Sequence, residues 1–270
     1  RFGLDTSTGH QETGAPNLSA IYAGTPNWAD ALKSITGYYN QNTTRRREIN
    51  QDLMLTFDKD MMDDLHLNAL VGFNGNERTY SWLSAGVTNL TIPTWFNLGN
   101  SAEKPSIDSY SQMRRLMGVF GQAEVAYKNM LYLTLTARND WSSTLPKGNR
   151  SFFYPGLTGS WIFSEMFNDD MKKIISYGKF RAAWGKTGND ANPYMTGVVF
   201  AQSSANSSGW ASSGFPFSNG NWNAYTLGNI LGSKTLSPEM TTETEIGLNM
   251  MFLQNRIGFD IAFYNRESDK

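Results

Sequence analysis

Two histidines, His10 and His66, are the whole imidazole supply of this 270-residue chain, and it has no cysteine. The missing thiols exclude a cysteine nucleophile, a disulfide scaffold and a zinc ribbon. A metal held by His66 needs partner ligands, and no second His lies near it in sequence, so His66 reads as a solvated side chain beside a turn. The acidic turn Asp58-Lys59-Asp60-Met61-Met62-Asp63-Asp64 resembles half a calcium loop. It lacks the glycine and the bidentate glutamate that complete such a loop, so it reads as a solvated turn. Arg45-Arg46-Arg47 reads as a solvated or interfacial strand start, with an anionic substrate or lipopolysaccharide as its other use. No Ser-His pair or carboxylate pair suited to hydrolysis stands out. The expectation is therefore no enzyme, no metal and no cofactor.

Binding chemistry is better represented. The stretch Gly188 to Thr241 holds Tyr194, Trp210, Phe215, Phe217, Trp222 and Tyr225 amid Asn, Ser and Gly, with Asn223 beside Trp222. Rings stack on apolar sugar or side-chain faces, and amides bond hydroxyls or peptide backbone. The stretch Tyr80 to Ser109, with Trp82, Trp95 and Phe96, has the same character. The candidate substrate contacts are Trp210, Trp222, Tyr225, Asn223, Tyr194, Trp82 and Trp95. The competing reading is an ordered loop packed on its own aromatics. A second set is charged: Glu124, Arg138, Arg181, Glu243, Glu245 and Asp260. Arg138 is expected to pair with Glu124 or Glu245, while Asp140 and Ser142 cap the strand-to-loop turn.

These residues must be positioned by strands, because strict apolar–polar alternation recurs eight times. The alternating faces begin at Ile49, Leu65, Met117, Leu131, Phe153, Phe180, Thr244 and Ile257. Of 38 positions on the apolar faces none is charged, and only Gln51 and Thr244 are clearly polar. The opposite faces carry mostly Asn, Thr, Ser, Gly and Tyr, which suits a barrel lumen better than bulk solvent. Phe, Trp and Tyr near segment ends suit interfacial girdles. A short helix is expected over Asn27 to Ile35, with Asn27 as N-cap.

Connection lengths carry an independent signal. They alternate: short at Asp58–Asp64, long at 77–116, two residues at Lys128-Asn129, medium at Asp140–Arg150, medium at Glu165–Gly178, long at 188–241, tight at Leu253–Arg256. Outer-membrane barrels have short periplasmic turns and longer extracellular loops. The net charge of −1 and pI near 6.2 leave no basic footprint, so no nucleic-acid partner is expected. Charged residues are 17% of the chain, yet its mean hydropathy is −0.44; a dry apolar face and a wet uncharged one average to that value.

Three stretches go beyond barrel grammar. The first contains Arg138-Asn139-Asp140-Trp141-Ser142-Ser143 followed by Phe153-Tyr154-Pro155. The second places Lys179, Arg181, Gly185, Gly188 and Asn189 in a Lys-x-Arg-x-x-x-Gly-x-x-Gly-Asn pattern. The third has Leu236, Pro238 and Glu239, then Glu245, Gly247 and Leu248. Together they resemble the SusC/RagA family of TonB-dependent outer-membrane transporters. The resemblance covers Arg45 to Lys270.

It implies an all-β fold: a transmembrane antiparallel barrel, of which this chain supplies eight strands out of about 22. Residues 1–44 then form an extracellular loop region carrying the short helix. Residues 45–270 form barrel strands with long loops at 77–116 and 188–241, and the plug domain lies outside this chain. The resemblance also implies import of oligosaccharides or peptides across the outer membrane of a Gram-negative bacterium. The implied partners are a SusD-like surface lipoprotein, outer-membrane lipids, and the TonB complex acting through parts not in this chain. Arg138, Asp140, Arg181, Asn189, Glu243 and Glu245 become motif or lumen residues. A soluble β-sandwich binding carbohydrate is the alternative.

Overall fold

The computed structural model describes residues 1–24, 32, 35–101, 103–202, 225–227 and 231–269. Its strands are β1 (Phe2–Ala15), β2 (Tyr38–Met62), β3 (Leu65–Thr88), β4 (Ser106–Tyr127), β5 (Leu131–Ser142), β6 (Ser151–Trp161), β7 (Ile175–Asn189), β8 (Phe200–Gln202), β9 (Tyr225–Leu227), β10 (Glu239–Phe252) and β11 (Ile257–Asp269). Among the described residues the short helices α1 (Leu18–Ile21) and α2 (Asp169–Ile174) interrupt them. The hydrogen-bonded order is β1-β2-β3-β4-β5-β6-β7-β10-β11, and β8 pairs only with β9. The order is that of an antiparallel meander, as an up-and-down barrel requires. The described chain divides into two compact units.

The larger unit comprises Asp52–Gly75 and Arg115–Lys270. Its ladders pair Leu133 with Val125 on one side and Gly159 on the other, and Ile246 with Ala182 and Phe263. These partners put the alternating apolar residues on one face throughout. That face is bare: Leu55 is 73% exposed, Leu133 49% and Phe263 75%. In a sandwich these side chains would be the core, with a facing sheet about 10 Å away. Among the described residues the buried apolar side chains are instead Tyr39, Val87, Leu90, Ala126, Leu145 and Phe152. The soluble-sandwich alternative thus finds no support, and the apolar face is left for lipid. The turn between β4 and β5 has φ of 52° at both Lys128 and Asn129. That left-handed pair matches strand twist in the tightest hairpins.

The smaller unit comprises Arg1–Gln51 and Asn76–Arg114. Here the structure corrects the expected organisation. Residues 1–44 are not a loop region: β1 pairs with β2 from Phe2↔Gln51 to Ala15↔Tyr38. Nor is 77–116 one long loop, since β3 continues to Thr88 and β4 begins at Ser106. The sheet therefore has nine strands rather than eight. The reason lies in length. The 25 residues of β2 extend about 80 Å at about 3.3 Å each, whereas a membrane crossing takes about 9–11 residues. Beyond Ile49 and Phe73 the outward positions come to include Arg47, Arg45, Glu77 and Ser81, so pairing continues after alternation has stopped. Arg45-Arg46-Arg47 consequently lies within β2, not at its start; Arg47 pairs with Glu77 at 3.1 Å.

Tyr39, Val87 and Leu90 form this unit's small core, with Leu98 packed on it. Buried Asn100 ties the connection after β3: its Oδ1 accepts from the Ile92 N–H at 2.8 Å and its Nδ2 donates to the Ile92 carbonyl at 2.8 Å. Asn17 caps α1 by accepting from the Ala20 N–H at 3.0 Å. The helix expected over Asn27 to Ile35 lies mostly outside the described residues, of which Leu32 is helical. In the larger unit, β6 ends at Trp161 and Phe163 opens a 3-10 turn (Phe163–Met166).

Candidate functional site: the inner wall and its extracellular junction

The wet faces of β4 to β11 form a wall whose charges answer one another. Arg181 reaches across Gly247: its Nε donates to Glu245 Oε1 at 3.2 Å and its Nη1 to Asp260 Oδ2 at 3.0 Å. A Cβ at Gly247 would lie 2.6 Å from Arg181 Nε, so the absence of a side chain makes the guanidinium's seat. Asn249 Nδ2 completes the group by donating to Asp260 at 3.1 Å. Arg266 Nε donates to Glu243 at 2.7 Å, and Thr134 donates to Glu124 at 2.9 Å. Such half-exposed pairs are worth about 0–1 kcal/mol each, so their effect is to neutralise the wall rather than to hold it.

Arg138 departs from the expected pairing. Neither Glu124 nor Glu245 is its partner. Two residues along a strand share a face, and Arg138 Nε donates to Asp140 Oδ1 at 2.8 Å. The guanidinium lies over the Phe120 ring at 5.4 Å, and the Tyr154 hydroxyl donates to the other Asp140 oxygen. Gly118 leaves the space; a Cβ there would collide with Asp140 and Arg138. Asp140 is only 3% exposed, so it anchors the wall instead of capping the turn. Ser142 does cap: its Oγ accepts from the Thr144 N–H at 3.2 Å.

The same wall holds a trough of about 810 Å³, with Gly156 and Gly185 as register partners in its floor and Arg138, Tyr154, Glu243, Glu245 and Arg266 on its sides. A ligand or a docked segment would meet exposed backbone on that floor and paired charges at its edges.

Next to Asp140 the three motif stretches converge. Asp190 accepts hydrogen bonds from the Ser142 hydroxyl and, at 2.9 Å, from the Thr144 hydroxyl. Asn149 Nδ2 donates to the Thr235 carbonyl at 3.2 Å and the Leu236 carbonyl at 3.1 Å. One short β5–β6 connection therefore holds both ends of the 190–238 segment. Gly188 is pressed on Phe152, and Asn189 closes β7 opposite Glu239. Sequence reasoning missed Asp190, Thr144 and Asn149. Their signal was weak, since Asn, Asp and Thr in loops are commonplace.

The aromatic candidates do not gather into one described site. Trp210, Trp222 and Asn223 lie outside the described residues, and Tyr225 opens β9. Tyr194 is 52% exposed at a left-handed φ of 65°. In the smaller unit Trp82 lines a cavity of about 370 Å³ with Arg45 and Tyr110, and Trp95 is exposed in a turn. At the opposite ends of the strands, His66 Nδ1 meets Asp60 at 2.8 Å and Asn68 donates to Asp58 at 2.7 Å, so β3 partners two carboxylates of the acidic stretch, whose residues 58–62 belong to β2 and leave only Asp63-Asp64 as the turn. Lys128, in the neighbouring turn, has its ammonium pKa raised by the adjacent Tyr127 and by Asp64.

Comparison with known proteins fits this geometry. The family model described as TonB dependent receptor-like, beta-barrel matches residues 2–270. TonB-dependent receptor P26 of Formosa agariphila is 24% identical over 98% of this chain and 25% of its own length. TonB-dependent receptor SusC of Bacteroides thetaiotaomicron is 30% identical over 60% of this chain and 16% of its own length. The chain thus spans a quarter or less of the curated relatives it matches. Among solved structures, the RagAB peptide transporter superposes with a TM-score of 0.81 at 16% identity, over 99% of this chain and 28% of that one. These relatives are receptors and transporters, not enzymes. With its bare apolar face, neutralised inner wall and full-length family match, the chain belongs to the TonB-dependent receptor-like β-barrels of the Gram-negative outer membrane, in company with SusC.

Proposed function

We propose that this chain supplies part of the wall and the outer loops of a TonB-driven importer of oligosaccharides or peptides. The carrying observation is the inequality of the two sheet faces. One is apolar and bare; the other pairs Arg138, Arg181 and Arg266 with carboxylates around a glycine-floored trough. A wall of that kind offers a solute water and exposed backbone rather than fixed charge. The chemistry is passage, not bond making. Substrate meets the aromatic- and amide-rich outer segments, where Trp82, Trp95, Tyr194, Trp210, Trp222, Asn223 and Tyr225 are the stacking and hydrogen-bonding groups. A SusD-like surface lipoprotein covers that end. TonB pulls on a plug outside this chain to open the lumen. Arg138, Asp140, Arg181, Asn189, Glu243 and Glu245 serve as scaffold.

The likeness to TonB-dependent receptor SusC supports TonB as the energy source, and the two substrate classes are those that the resemblance of the three motif stretches implies. The test is uptake by cells carrying the full-length protein, supplied with labelled oligosaccharide pools or labelled peptide pools. Alanine at Trp82, Trp95, Trp210 and Trp222 together should abolish TonB-dependent uptake of one pool while leaving barrel assembly intact. Unchanged uptake of both pools would refute the assignment of these residues.

A further inference from the structure

The lipid-facing side of the larger unit is not uniform. Adjacent strands place its side chains in lateral rungs, and one rung is cut away in the middle. That rung runs Val125, Leu133, Gly159, Ala182, Ile246. The rung toward the long loops is filled by Leu135, Leu157 and Trp184, and the rung toward the tight turns by Leu131, Trp161 and Phe180. Gly159 and Ala182 thus leave a notch between two bulky rungs. Leu133 and Ile246 flank Gly159 and Ala182 on the next strands, about 14 Å apart at about 4.8 Å per strand. From Gly159 and Ala182 the hollow opens toward the turn side, where Val125, Tyr127, Leu131, Leu133, Trp161 and Phe180 also line it; it measures about 520 Å³, and its lining is almost wholly apolar. A Cβ built on Gly159 meets nothing within 4 Å, so no described side chain crowds the space above it.

Two further features specify the occupant. Strands of such barrels tilt about 45°, so the rungs across them also lie about 45° from the membrane normal, and a lipid tail can follow the notch. At its turn-side margin stands Tyr127, with the Lys128 ammonium 5.4 Å above its ring. Lys128 Nζ lies 3.6 Å from Asp64 Oδ2. A cation beside an anion, at the water boundary of the short-turn side, complements a headgroup that carries both a phosphate and an ammonium.

We propose that this notch binds one acyl chain of a zwitterionic, amine-headed phospholipid of the periplasmic leaflet, with the headgroup seated on Lys128 and Asp64. The site faces away from the lumen, so it is independent of what is imported. It would hold one lipid in place through detergent extraction, where ordinary boundary lipid exchanges.

The test uses the full-length protein extracted in mild detergent and examined by native mass spectrometry with added phosphatidylethanolamine. The wild type should retain one bound phosphatidylethanolamine. Gly159→Leu with Ala182→Leu fills the notch, and retention should fall about tenfold or more, the scale of losing a few buried methylenes. Lys128→Ala should lower retention of phosphatidylethanolamine and leave the filled-notch variant unaffected. Gly159→Ala, which keeps most of the hollow, controls for assembly and should retain the lipid. Equal retention by the wild type and the filled variant would overturn the proposal, as would a wild type that carries no lipid. A dimer lost on filling would also overturn it, because the notch would then seat a protein.

Discussion

The two units are built from the same kind of antiparallel ladder, yet only one of them announces itself in the sequence. In the larger unit Leu131, Leu133 and Leu135 alternate with Tyr132, Thr134 and Thr136, and the partner strands repeat the pattern. In the smaller unit β1 and β2 stay in register over fourteen pairs, but past Leu4 opposite Ile49 the outward pairs become polar, with Thr6, Thr8, His10 and Glu12 opposite Arg47, Arg45, Thr43 and Gln41. Hydrogen bonding is indifferent to that difference; solvent is not. A strand alternates when its two faces meet two phases, and stops alternating when water lies on both. Alternation therefore marks the membrane, and the strand itself may run far past it.

That contrast can be broken by substitution, and the largest expected effect is on the lipid side. Leu133→Arg puts a guanidinium on the apolar face and should cost about 2–4 kcal/mol of folding free energy in bilayers, the scale for a mid-membrane position. Ser81→Arg, at an outward position beyond the apolar run, should change stability by no more than about 0.5 kcal/mol. Denaturant unfolding of both variants in lipid vesicles makes the comparison. Equal costs would erase the distinction between the regions.

Next come the buried polar anchors, one in each unit. Asp140→Ala leaves Arg138 and the Tyr154 hydroxyl without their carboxylate and should cost about 1.5–3 kcal/mol, as lost charged hydrogen bonds do. Asn100→Ala strands the Ile92 N–H and C=O and should cost about 1–2 kcal/mol. Hydrogen exchange should localise that second loss to residues 89–105 while the larger unit keeps its protection. Protection lost throughout would make the two units one cooperative body. The smallest effect is expected at the wet wall. Arg266→Ala removes an exposed partner of Glu243 and should cost no more than about 1 kcal/mol in melting experiments, less in high salt.

The sequence made the eight membrane-crossing segments legible for the same reason: each apolar face excludes charge. The tight turns were legible too, because Lys128-Asn129 and Leu253–Arg256 fall between alternating runs. What stayed hidden was whatever lacked a phase boundary. β1 has only Phe2 and Leu4 as an apolar face, too short a run to stand out, so Phe2–Ala15 looked like loop, and β3 looked finished at Phe73 although it continues to Thr88. Of the candidate site, the charged residues of the wet faces could be named from the alternation, but the one pairing expected, Arg138 with Glu124 or Glu245, does not form. Arg138 turned to Asp140 on its own strand, because Gly118 opened that space and Glu124 was already bonded to Thr134. The clasp through Asp190 and Asn149 could not be read, since it joins residues 46 to 87 positions apart.

One measurement bears most directly on the claim that alternation marks the membrane. This chain has no cysteine, so, with any cysteine elsewhere in the full-length protein replaced by serine, spin labels can be placed one at a time at Leu67→Cys, Val71→Cys, Phe73→Cys, Glu77→Cys and Ser81→Cys in bilayers. Oxygen collects in lipid and a charged nickel chelate in water, so relaxation by each reports the phase at every position. The account predicts labels favouring oxygen at 67, 71 and 73, and favouring the chelate at 77 and 81. Oxygen preference persisting through position 81, or chelate access at position 71, would contradict it.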